Sequence, residues 1–220
     1  MAVEGWDWAF VAASLVEIAL GAWVFFASPG SPVNRGFALF LFATGLGDLT
    51  GAAAPDDPAS RAGVSDAAYL AYFVSIAGLV LMALAYPDRK RLEGSERRIL
   101  RGAWSLVALG IAFVVVGRSG SQGPIESVGL VLAAIILGSQ GILAAWVSRH
   151  LGQGSSDQQR STRLIILGLC IWPLWSAGSF LTGLGEGRSG LGWTTTVIML
   201  LSTSAASVAV VRLLRAGDDG

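Results

Sequence analysis

Acidic side chains set deep in apolar sequence are the first places where this chain could do chemistry. Glu17 sits inside the apolar run that opens at Trp8. At 1.5 Å of helix rise per residue it lies roughly 13 Å from the start of that run, near the middle of a hydrocarbon layer roughly 30 Å thick. A carboxylate at that depth is costly and marks a functional site by default. No lysine, arginine or histidine lies at matching depth in any apolar run. Glu17 is therefore expected to be uncharged, to face a wet cavity, or to share a proton with Gln140, Thr44 or a serine. Two readings stand at this point: a protonated acid bonding across helices as structural glue, and a ligand or proton site.

Asp48 and Glu186 form a second pattern. Phe42-Ala-Thr-Gly-Leu-Gly-Asp48 and Phe180-Leu-Thr-Gly-Leu-Gly-Glu186 share phenylalanine, threonine, two glycines and leucine, and both end on an acid. Both segments close apolar runs that travel in the same direction, so the two carboxyls are expected near one face of the bilayer. One reading is a parallel duplication of three helices, as some transporters use; the other is coincidence in a chain rich in glycine and leucine. A third feature is Trp172, Pro173, Trp175, Ser176 and Ser179. Spacings of three and four put these side chains on adjoining helix faces. With a kink at Pro173 they line a pocket for an apolar or aromatic ligand, or else simply pack.

Several chemistries are missing. The only lysine, Lys90, falls between apolar runs, so no lysine is placed to hold retinal. One histidine, His150, and one cysteine, Cys170, exclude two-imidazole metal sites, a four-thiolate zinc site and an internal disulfide. No glycine-rich phosphate loop ending in Lys-Ser/Thr occurs. No enzyme activity, cofactor or metal is expected, and nothing points to nucleic acid.

The elements that must position the acids follow from composition. Hydrophobic residues make up 53% of the 220 residues and charged residues 14%, with a mean hydropathy of +0.63. A soluble domain carries about 25% charged residues. Seven apolar runs occur, over roughly 8–27, 36–54, 66–86, 99–116, 124–147, 163–184 and 192–211. About 20 residues are needed for a helix to cross a bilayer, and each run approaches that length. Their continuous apolar stretches do not alternate as barrel strands do. Pro29, Pro32, Pro55, Pro58, Pro87 and Pro124 fall at or between run boundaries, and only Pro173 lies inside one. The expectation is an all-α bundle of seven transmembrane helices, forming a single domain over residues 1–220. Ser65 or Asp66 is expected to cap the third helix. Ser148–Thr162 reads as a flexible linker.

Basic residues stay cytoplasmic. With the N-terminus outside, only Arg61, Arg118 and Arg188 of the fifteen lysines and arginines fall outside. That places the chain in the cytoplasmic membrane as a multi-pass protein, C-terminus inside. Met1–Trp8 lacks a basic n-region, so the first helix is expected to be retained. The basic cluster Arg89-Lys90-Arg91 with Arg97-Arg98 reads chiefly as a topological anchor, and such clusters also hold anionic lipid headgroups.

Four segments then occur in a suggestive order: Asn34-Arg35-Gly-Phe-Ala-Leu-Phe, Gly-Leu-Gly-Asp48, Ser65-Asp66-Ala-Ala-Tyr69-Leu-Ala-Tyr72, and Leu84-Ala-Tyr-Pro87-Asp-Arg89. Over residues 34–91 the chain resembles the seven-helix membrane input regions that precede bacterial and archaeal histidine kinases and diguanylate cyclases. The resemblance implies a sensory or regulatory module with no catalysis of its own. Such regions are normally fused to an output domain, whereas only Arg212–Gly220 follow the last apolar run. That departure leaves two readings: signalling to a separate cytoplasmic protein, with a small or lipophilic ligand or a proton read in the bundle, or a role that has diverged. Glu17, Asp48, Trp172, Trp175 and Glu186 are the expected ligand-binding residues. The alternative is a small-molecule transporter built on the three-helix repeat, with Glu17 as its proton-coupling carboxyl.

Overall fold

The computed structural model describes residues 5–52, 58–86, 94–117, 143–152, 155–181 and 189–218. Within them the chain is all-helical, with seven helical segments and no strand. These are α1 (Gly5–Ala27), α2 (Pro32–Ala52), α3 (Pro58–Ala85), α4 (Gly94–Gly117), α5 (143–148), α6 (Ser156–Leu181) and α7 (Ser189–Asp218).

Helix starts follow local chemistry. Pro32 opens α2, where its fixed φ suits the first turn and its missing N–H is no loss. Ser31 precedes it, and its Oγ accepts the Asn34 backbone N–H at 3.4 Å. Pro58 opens α3 in the same way, so this helix begins well before Ser65 and Asp66. Those two residues lie inside the helix and do not cap it: Pro58-Ala-Ser-Arg-Ala already favours a helical first turn. The expected linker is likewise partly helix. Ser155 and Gln158 form a reciprocal capping box, Gln158 N donating to Ser155 Oγ at 3.3 Å and Ser155 N to Gln158 Oε1 at 3.0 Å. This starts α6 at Ser156, several residues before its apolar stretch, and α6 carries Pro173 in its interior.

The core joins α1, α2, α3, α5, α6 and α7 through Val24, Phe37, Leu41, Met82, Ile165 and Val210 among others. Among the described helices α2 and α3 approach closely. A Cβ on Gly36 would lie 2.7 Å from the Gly78 carbonyl oxygen and would collide with the Met82 backbone. A Cβ on Gly78 would lie 2.6 Å from the Phe40 nitrogen and 2.7 Å from the Gly36 carbonyl oxygen. Paired glycines let two backbones touch, as at the small-residue seams of membrane helices. The helices α1 and α2 pack along their length, as do α6 and α7, and α7 also reaches α1.

Polarity is distributed with apolar groups outward. Glu17, Asn34, Ser75 and Ser207 are buried, while Leu15, Phe26, Leu109 and Leu201 are more than half exposed. Among the described helices, Thr196–Leu213 is long and apolar enough to cross a membrane, and Val11–Ala27 and Leu70–Ala85 are shorter apolar stretches. The second helix falls below that standard because Asn34, Arg35, Thr44, Asp48 and several glycines dilute its apolar residues.

Candidate functional site

Gly45 of α2 creates the site. A Cβ there would lie 2.8 Å from the Ser14 carbonyl oxygen, 2.9 Å from Ile18 Cγ1 and 3.3 Å from Glu17 Cβ. Ser14, Glu17 and Ile18 are spaced to share one face of α1, and the bare glycine backbone lets that face settle on α2. Glu17 is 1% exposed. Its Oε2 has no hydrogen-bond partner among the described residues. Leaving such an atom buried and unsatisfied costs about 1–3 kcal/mol.

Asp48 stands three residues beyond Gly45 on the same face of α2, near enough for its carboxyl to act electrostatically on Glu17. It too is buried. The Tyr72 hydroxyl of α3 donates a hydrogen bond to Asp48 Oδ1. The Tyr72 ring lies over Gly47, where a Cβ would come within 2.8 Å of ring Cε1. Ser75 Oγ donates to the Tyr72 carbonyl at 2.7 Å, one turn along α3. Three consecutive helices thus contribute one group each: a carboxyl from α1, a carboxyl from α2 and a phenol from α3.

Two buried carboxyls with a phenol donor on one of them make a site with surplus acceptor capacity. It suits a species that brings donors or positive charge, such as a proton or a small cationic ligand. Among the described residues no group of three or more histidine, cysteine, aspartate or glutamate side chains is placed to hold a metal ion.

The structure therefore brings Glu17 and Asp48 together, which the sequence reading did not anticipate. Of the expected partners for Glu17, Thr44 directs its hydroxyl to the Phe40 carbonyl at 2.7 Å, and Gln140 lies outside the described residues. Ser14 lies one helical turn before Glu17 on α1. Trp172 and Trp175 fall on α6, but their side chains lie outside the described part of the structure. Glu186, and with it most of the second half of the duplication pattern, also lies outside. In the sequence Tyr72 stands out only as part of the Ser65–Tyr72 segment. Its signal was its place on the helix following the one that carries Asp48, and that became legible only once the packing of α2 on α3 was known.

A second polar set ties the opposite end of the bundle. Asn34 Nδ2 donates to the Val24 carbonyl at 2.8 Å, joining α2 to the last turns of α1. Arg35 Nε donates to the Pro29 carbonyl at 2.6 Å. The hydroxyls of Tyr86 and Thr162 are hydrogen-bonded at 2.6 Å, and the His150 ring lies 5.5 Å from that of Tyr86, centroid to centroid. Asn34, Arg35 and Tyr86 thus have a structural use: they fasten helix ends, while Pro87 lies outside the described residues.

No protein-family model matches the chain, and no curated protein matches it.

Proposed function

We propose that this chain is a seven-helix integral membrane protein of the cytoplasmic membrane, N-terminus outside, acting as a sensory or regulatory module. In this reading a proton or small ligand is taken up at Glu17, Asp48 and Tyr72. Occupancy shifts α1 against α2 and α3, and the shift passes to a separate cytoplasmic protein. The ligand must bind two arrangements of the bundle with different affinity for this to work.

The carrying observation is the unpartnered Glu17 oxygen beside the Asp48–Tyr72 pair at the α1–α2–α3 seam. Membrane residence is supported by composition, by the Thr196–Leu213 stretch and by the outward Leu15, Phe26, Leu109 and Leu201. The sensory reading follows the resemblance over residues 34–91, which also implies that the bundle performs no catalytic step itself.

The test uses the full chain in sealed liposomes, with intrinsic tryptophan fluorescence reporting bundle shape and an entrapped pH dye reporting flux. A sensor gives a fluorescence change on an external pH step without net proton movement, and Glu17→Gln or Asp48→Asn removes it. Proton flux that Glu17→Gln abolishes would instead identify the transporter. A fluorescence response identical in wild type and both variants would overturn a role for this site.

A further inference from the structure

A second feature lies away from the carboxyl site. A half-open cavity of about 250 Å³ runs between α3, α4 and α5, walled by Leu79, Ala83 and Leu84, by Ile99, and by Leu143 and Trp146. Its wall is apolar throughout. Ile99 and Trp146 are 55% and 40% exposed, so the cavity opens on the outer surface of the bundle.

One end of this groove is basic. Arg149 follows Trp146 by one turn, and its guanidinium carbon lies 4.9 Å from the centre of the Trp146 ring, within cation–π range. Ile99 lies between Arg98 and Arg101 in the sequence of α4, and both arginines are exposed. Arg97 adds a third arginine to these first two turns, against the single acid Glu96. Leu84, Ile99 and Trp146 all lie toward the end where α3 finishes and α4 begins, the end of the bundle that also carries these arginines. A tryptophan with arginine beside it, above an apolar slot, is the arrangement expected at a headgroup level.

We propose that this groove is a binding site for an anionic phospholipid, with one acyl chain lying along Leu79–Leu84 and the phosphate held by Arg149 and Arg98. Charge complementarity selects the occupant: an apolar helix from a partner would leave the arginine mouth uncompensated, while a soluble phosphate would leave the apolar slot unused. The site shares no residue with the Glu17–Asp48–Tyr72 cluster and stands independently of the function proposed for that cluster.

The experiment is native mass spectrometry of the full chain released from detergent micelles. The micelles carry phosphatidylglycerol or phosphatidylcholine of identical acyl chains. Phosphatidylglycerol is expected to be retained at least about five-fold more, the factor one well-placed arginine contributes at an anionic surface. The Arg98→Gln/Arg149→Gln double variant should bring it down to the phosphatidylcholine level. Ala83→Trp, which fills the slot, should lower retention of both lipids; Val80→Phe, at another residue of the same wall, serves the same purpose if Ala83→Trp does not elute as a monodisperse helical protein. Glycerol phosphate, the headgroup without chains, should fail to compete. Equal retention of the two lipids by wild type, indifference to both slot-filling variants, displacement by glycerol phosphate, or a dimer that excludes lipid would each overturn the proposal.

Discussion

Replacing Glu17 by methionine separates the two uses a buried acid can have. Methionine is close to glutamate in length and flexibility, so the space beside Gly45 stays filled. If Glu17 were structural glue, its removal would break hydrogen bonds and lower stability. The geometry predicts the opposite sign. Oε2 has no partner among the described residues, and an unsatisfied buried polar atom costs about 1–3 kcal/mol. Asp48, the other buried acid of the pair, loses an acidic neighbour at the same time. Glu17→Met is therefore expected to raise unfolding free energy by about 1–3 kcal/mol, while abolishing the fluorescence response to pH. Glu17→Gln keeps a polar group of the same shape and is expected to change stability by less than about 1 kcal/mol. The assay is reversible unfolding in mixed micelles titrated with dodecyl sulfate, followed by circular dichroism. A loss of stability of about 1 kcal/mol or more in Glu17→Met would refute the reasoning, because it would show that the carboxyl holds the helices together.

Gly36→Ala should destabilise the bundle by about 1–3 kcal/mol through collision with the Gly78 carbonyl and the Met82 backbone. Gly30→Ala, with nothing within 4 Å of the added carbon, should stay within about 0.5 kcal/mol of wild type, both read by the same unfolding titration. A double-mutant cycle of Tyr86→Phe and Thr162→Val should give a coupling of about 0.5–1.5 kcal/mol for the hydroxyl pair, and additive single effects would mean the contact is not maintained. Ser155→Ala should cost about 1 kcal/mol and speed amide hydrogen exchange selectively in the first turn of α6.

The helical character of the described segments was legible because long apolar runs without alternation favour helices over strands. Pro32 and Pro58 fall at helix boundaries as the punctuation implied, although Pro58 opens α3 well before the expected cap at Ser65 or Asp66. Helix starts were less legible. Hydropathy marks where side chains turn apolar, whereas Pro58 and the Ser155–Gln158 box mark where backbone hydrogen bonding begins, several residues earlier. Glu17 and Asp48 stood out because isolated acids in apolar sequence are conspicuous. That they meet was not legible: the register of α1 on α2 is set by the absence of a side chain at Gly45, and glycine is too common in this chain for one copy to signal a contact. Tyr72 was hidden for a related reason. A tyrosine in an apolar run reads as packing until a helix neighbour supplies the acceptor.

The glycine seam between α2 and α3 bears on the order in which the molecule is assembled during synthesis. These helices are consecutive, separated only by the stretch between Ala52 and Pro58, so their contact can close as soon as both have left the ribosome. With α1 laid against α2, the first three helices already contain both carboxyls and the phenol. The contact of α7 with α1 must wait until the last helix has been translated. The three helices that carry the acid cluster can thus meet before α4–α7 are made, and α7 packs against α1 afterwards.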